Sequence, residues 1–122
     1  MKRSDFQRIV RQALEELPPV FRDALENIDI QVRWSPTLGE RRRARLHPGH
    51  DLFGLYLGVP LTKRGHYYSM VLPDTIVIYQ RAHERHCRDE AAMVEQARQT
   101  LLHEIGHYMG IDEDRLQELG VG

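Results

Sequence analysis

Eleven residues near the C-terminus gather the side chains best suited to chemistry: His103-Glu104-Ile105-Gly106-His107-Tyr108-Met109-Gly110-Ile111-Asp112-Glu113. The pattern reads H-E-x-x-H-x-x-G-x-x-E. Residues four apart on a helix lie one turn above each other on the same side, so His103 and His107 can hold one ion between them. Neutral imidazole is a good ligand for Zn²⁺, and two of them leave positions for a third side chain and a water. Glu104, next to the first histidine, stands where a carboxylate takes a proton from that water. The chemistry implied is metal-assisted hydrolysis. With seven histidines in the chain the three positions also coincide by chance, so the pattern gains weight only on a real helix followed by a turn that returns a third ligand.

The elements around the motif supply that context. From Asp89, a suitable N-cap, to Met109 the pattern is helical, with Val94, Ala97, Leu101, Ile105 and Tyr108 on one stripe. His103 and His107 fall on the flank of that stripe, as they should if the helix packs on a sheet and turns a second face to a cleft. Gly110 fits a C′ glycine that ends the helix. It lets the backbone reverse, so that an acidic residue beyond it returns to the metal. Glu113 holds the position six after His107, while Asp112 also suits the N-cap of a final short helix over 112 to 119. Gly106 costs a helix interior about 1 kcal/mol relative to alanine, which points to a close neighbour.

Earlier in the chain, residues 4 to 17 form an amphipathic helix burying Phe6, Ile9, Val10, Ala13, Leu14 and Leu17, with Ser4 as N-cap and Gln7 completing a capping box. Pro18-Pro19 ends it, and 20 to 27 suit a short second helix. Ile28 to Trp34 alternates strictly and reads as a half-buried strand. Residues 35 to 50 show no period and read as a loop carrying the arginine run Arg41-Arg42-Arg43-Ala44-Arg45. Leu52 to Val59, His66 to Leu72 and Thr75 to Tyr79 are strand candidates, the last rich in β-branched residues. Gln80 to Arg88 is charged and open to a helical turn, and within it His83-Glu84-Arg85-His86-Cys87 reads as an exposed, charged connector in preference to a second metal site. The order gives an α+β fold, a small mixed or antiparallel sheet packed against an N-terminal helix and the motif helix.

The 122 residues are expected to form a single domain, 1–122, long enough for a core without disulfides. The one cysteine, Cys87, allows no internal disulfide and favours a reducing compartment. The start of the chain has no apolar signal core, and no run is long enough to span a bilayer. A cytoplasmic protein without a membrane partner is the expectation. The net charge of −1 names no partner, and the 15 arginines against 2 lysines spread over the whole chain. A solvated loop is the preferred reading of the arginine run over an RNA contact, so a nucleic-acid partner is not expected.

The motif resembles that of zincin metallopeptidases with metzincin-like spacing. More of the chain is similar to the minimal zincin-like family of small bacterial metallopeptidases: Leu55-Tyr56-Leu57-Gly58-Val59-Pro60-Leu61-Thr62-Lys63-Arg64-Gly65, then Leu72-Pro73-Asp74-Thr75-Ile76, and His103 through Gly120, with Leu17-Pro18 and residues 21 to 28 fitting as well. The resemblance implies His103 and His107 as zinc ligands, Glu104 as general base, and an acidic third ligand, Glu113, where aspartate is usual; Asp112 or Asp114 are the alternatives. The methionine-bearing turn of true metzincins has no counterpart. The implied function is a zinc-dependent peptidase acting on peptides or unfolded protein segments, which pair with a strand edge for which Thr75 to Tyr79 is the candidate. Arg64, His66, Tyr67 and Tyr68 are candidates for stabilising an oxyanion. Two other classes compete: a zinc-dependent RNA hydrolase, against which Glu104 argues, and a metal-binding interaction module without turnover.

Overall fold

The computed structural model describes residues 1–44, 51–59 and 74–118, without the side chains of Glu113 and Gln117. Helix α1 (Arg3–Glu15) and a short α2 (Pro19–Ala24) lead through a single 3₁₀ turn into strand β1 (Ile28–Arg33). Helix α3 (Leu38–Arg43), strands β2 (Gly54–Leu57) and β3 (Asp74–Tyr79), and helices α4 (Gln80–His86), α5 (Glu90–Tyr108) and α6 (Glu113–Glu118) follow. The sheet runs β1-β3-β2, with β1 parallel and β2 antiparallel to β3. It is therefore a mixed sheet in an α+β fold.

One face of the sheet carries the main core. Ile28, Tyr56, Ile76 and Ile78 pack under Phe6, Ile9, Val10 and Ala13 of α1 and under Val94, Ala97, Leu101 and Ile105 of α5. A smaller cluster of Leu55, Val77 and Tyr79 closes the other face. Strand β3 is thus buried on both sides, and a strand in that position reads as a continuous apolar run instead of alternating. The expectation that Thr75–Tyr79 is a sheet edge is corrected here: β3 is the central strand. Among the described residues β2 is the outer strand on the side of α5.

Three further expectations change. Helix α1 starts one residue before Ser4, with Lys2 as N-cap and no side-chain capping bond. The chain end is tied down elsewhere, by the Met1 ammonium on Glu84 at 3.0 Å and by Gln80 donating to the Met1 carbonyl at 2.9 Å. The supposed loop after β1 contains α3, nucleated by a capping box in which Thr37 and Glu40 satisfy each other's backbone N–H groups. Glu40 also accepts from Tyr79 Oη at 2.9 Å and pairs with Arg33 at 2.8 Å, which fixes α3 on the sheet. Burial pushes the pKa of this carboxyl up, but the bonds from Thr37 and Tyr79 and the charge of Arg33 outweigh it and hold Glu40 below its usual range. Residues 45 to 50 and the strand candidate His66–Leu72 lie outside the described residues.

The stretch expected to be an exposed connector is helix α4, and His83 within it is fully buried. Its ring lies between Phe6 and Phe53, at centroid distances of 5.1 and 5.2 Å, and its Nδ1 donates to the Tyr79 carbonyl at 2.8 Å. Burial favours the neutral imidazole and pushes its pKa down to about 4, against the weaker opposing effect of the Tyr79 bond. Between an ordinary value near 6.5 and about 4, the unfolded chain therefore binds the proton that the folded chain refuses. This contribution to stability is complete above the unfolded pKa and is lost as pH falls through that window, up to about 3 kcal/mol in all. Thermal melts of the wild type should show a falling midpoint from pH 6.5 to 4. His83→Gln, which keeps an N–H donor and cannot titrate, should flatten that slope; an unchanged slope would remove His83 as its source.

Candidate metal centre

Helix α5 begins as the sequence demands, with Asp89 accepting from the Ala92 N–H at 2.8 Å. Its buried stripe is the expected one, Val94, Ala97, Leu101, Ile105 and Tyr108. The motif side chains stand on its flank. His103 and His107 are 21% and 30% exposed, whereas Glu104 is 7% exposed. The two imidazole rings lie 4.6 Å apart, and one donor atom from each of His103, Glu104 and His107 falls within 4.8 Å of the others. Two nitrogens and a carboxylate oxygen at that spacing match the donors Zn²⁺ prefers. No other such group is found among the described residues.

The end of α5 is a Schellman turn. The N–H of Ile111 donates to the Gly106 carbonyl at 2.9 Å, the N–H of Gly110 to the His107 carbonyl at 3.0 Å, and Gly110 has φ 85°. A left-handed residue is needed there, and glycine adopts it without strain. The reversal leads directly into α6. Asp112 caps that helix, accepting from the Arg115 N–H at 2.9 Å. Its carboxylate therefore has the structural role that competes with metal binding. Asp114 is exposed, and Glu113 is the first residue of α6, with its side chain outside the described residues. Leu116 of α6 is buried and its Cδ2 sits where a Cβ on Gly106 would be. That is the close neighbour the helical glycine required.

Residues 25–122 match the family model for zincin-like metallopeptidases. The chain belongs to that family. No curated protein matches it. A conserved hypothetical protein from Thermus thermophilus shares the fold, with a TM-score of 0.56 at 21% identity over 98% of this chain and 97% of the other. In this zincin-like chain, then, the motif lies on the helix, in the setting and with the glycine turn that the sequence predicted.

Sequence reasoning missed two contributors. Tyr56, in β2, donates its backbone N–H to Glu104 Oε1 at 2.8 Å. In the ladder with β3, Phe53 and Leu55 face their partners while Gly54 and Tyr56 turn their backbone groups outward, so the bond joins the side of β2 away from β3 to the motif carboxylate. The Tyr56 ring is held in turn, with its hydroxyl donating to buried Asp74 at 2.6 Å and its edge against Tyr108. A backbone donor leaves no mark in a single sequence. The second contributor is the segment Asp51–Gly54, which with Gln96, Gln99, Thr100, His103 and Glu104 lines a cleft of about 320 Å³. The candidates Arg64, His66, Tyr67 and Tyr68 lie outside the described residues. Among the described residues, no helix is long and apolar enough to cross a membrane.

The contact between Leu116 and Gly106 makes a prediction about stability. A methyl at position 106 improves helix propensity by about 1 kcal/mol but overpacks against Leu116 at a cost of about 1–3 kcal/mol. Gly106→Ala should therefore destabilise the wild type in urea unfolding and stabilise the Leu116→Ala variant, which itself loses about 2–5 kcal/mol. Equal effects of Gly106→Ala in both backgrounds would mean that the two residues do not meet.

Proposed function

We propose that residues 1–122 form a single-domain zinc-dependent peptidase of the cytoplasm, hydrolysing peptides or unfolded protein segments. The observation that carries this reading is the convergence of His103, Glu104 and His107 with Glu104 anchored on the sheet edge. In this reading His103, His107 and Glu113 hold the ion, and Glu104 is the base. Asp112 is the weaker candidate for the third ligand because its carboxylate caps α6.

Zn²⁺, when bound, supplies the Lewis acidity that activates water near neutral pH and polarises a scissile carbonyl. The protein supplies position and proton transfer. Tyr56 N–H fixes one oxygen of Glu104, which orients the carboxylate so that its other oxygen, Oε2, accepts the proton of the attacking water. The same oxygen then passes that proton to the leaving amine. An extended peptide finds backbone partners on the outer edge of β2, where Gly54 turns its N–H and C=O toward the cleft. The glycine also lets α5 come close, since a Cβ there would lie 2.5 Å from Thr100 Cγ2.

Two variants separate ligand from base. His103→Ala should abolish stoichiometric zinc, read by elemental analysis of protein purified without an affinity tag. Glu104→Gln should keep the zinc and lower peptide-library cleavage by about 10²–10⁴-fold. Loss of zinc in Glu104→Gln would make Glu104 a ligand, and undiminished cleavage would end the assignment as base. Zinc binding in the wild type with no cleavage of any peptide would leave a metal-binding module.

A further inference from the structure

The cleft beside the motif does not end at Asp51 and Leu52. Those two residues also line an adjoining pocket of about 160 Å³, whose other walls include Trp34, Arg41 and Arg81. Trp34 is the only tryptophan of the chain and is 47% exposed. Its carbonyl accepts from the Arg81 N–H at 2.9 Å, so ring and guanidinium-bearing residue are held together by the backbone.

Among the described residues, the charges around this second pocket lean positive. Asp51 is its one lining carboxylate, and its oxygens already face His86 Nε2 at 2.7 Å and Arg85 Nη1 at 3.5 Å. The bond from His86, against some burial, and the charges of Arg85 and Arg81 hold Asp51 below the usual carboxylate range. Glu40, next to Arg41 on α3, is occupied by Thr37, Tyr79 and Arg33. Asp51, already engaged by His86 and Arg85, therefore stands beside Arg81 as a satisfied carboxylate. Arg81 and Trp34 line the same pocket, and a guanidinium favours a planar anion that takes two parallel N–H bonds, a geometry a carboxylate has.

Direction narrows the substrate further. A peptide laid antiparallel on the outer edge of β2, the more stable ladder, runs with its C-terminal end toward Gly54 and then Leu52 and Asp51. That end of the peptide is directed toward Asp51 and Leu52, the two residues that the cleft shares with the pocket of Trp34 and Arg81. We infer that this pocket is a carboxylate-binding subsite, and that the enzyme takes peptides with an acidic group on the C-terminal side of the scissile bond. The group is either an aspartate or glutamate side chain or the peptide's own terminal carboxylate. The inference rests on the peptidase reading but not on turnover, because Trp34 reports occupation by its fluorescence.

The test uses zinc-loaded Glu104→Gln protein and four short peptides of one backbone sequence. The first carries glutamate and an amidated end, the second glutamine and a free carboxylate, the third glutamine and an amidated end, and the fourth lysine and an amidated end. At least one of the first two should change Trp34 emission and bind about ten-fold tighter than the third, a difference of one charge-assisted contact. Which of them does so identifies the source of the carboxylate. Arg81→Ala should erase the difference. Arg81→Glu should invert the preference toward the lysine peptide, a gain that a misfolded variant cannot give. Equal binding of the first three peptides, or an unchanged ranking in Arg81→Glu, overturns the subsite. Single-stranded RNA of similar length displacing the acidic peptide at lower concentration also overturns it, in favour of a phosphate surface. If the peptides rank as expected and the wild type cleaves none of them, the peptidase reading fails while the subsite stands. If the wild type cleaves the first three alike and none shows carboxylate preference, the reverse holds.

Discussion

The hydrogen bond from Tyr56 N–H to Glu104 Oε1 is the joint on which the rest of the centre depends. A carboxylate with little exposure to water needs a partner, and a backbone N–H in a sheet is a donor that cannot rotate away. Here the partner is β2, the outer strand among the described residues, so one bond ties the motif carboxylate to that side of the sheet. Shifting β2 by a single residue would turn the Tyr56 amide toward β3 and its ring out of the core, away from Asp74 and Tyr108. The register of β2 on β3 is therefore a constraint on chemistry as much as on packing. It is enforced by Tyr56 on the core side and by Leu55 on the other.

Helix α5 meets this joint while also forming much of the core. Its two functions occupy different sides of the same cylinder, the apolar stripe on the sheet and the histidines on the flank. The arrangement needs a helix end that stops abruptly, and the left-handed Gly110 supplies it. It also needs α6 to lie close, which the absent side chain at Gly106 permits through Leu116. Each glycine of the motif answers to a neighbour or to a dihedral angle.

Much of this was legible in the residues. Spacing placed the histidines on the flank of α5, and the alternation of Ile28 to Trp34 marked β1, because both signals arise within one element. Thr37 and Glu40 stand at capping-box spacing, yet with no apolar period after them residues 35 to 50 read as a loop and not as α3. The continuous apolar run of Thr75 to Tyr79 carried the mark of a central strand, since only burial on both faces permits it. Tyr56 was illegible in its role because the donor is backbone, and His83 because a histidine in a charged stretch gives no sign of the two phenylalanines that enclose it. Long-range contacts decide both. The candidate third ligand stays with the family resemblance, since Glu113, Asp112 and Asp114 differ by one position on a turn and not by chemistry.

The distance along the chain between Tyr56 and Glu104, 48 residues, has a consequence for the order in which the protein matures. His103 and His107 are a local pair, available as soon as one turn of α5 exists, and metal chelation across that turn helps a short helix that is marginal alone. The anchor of Glu104 arrives only when β2 has docked on β3 and both have met α5, contacts whose closure is slow because of their separation. A partly folded chain thus has the two imidazoles together before Glu104 is oriented. On the proposed peptidase reading, that sequence of events delays competence until the chain is no longer an unfolded substrate itself.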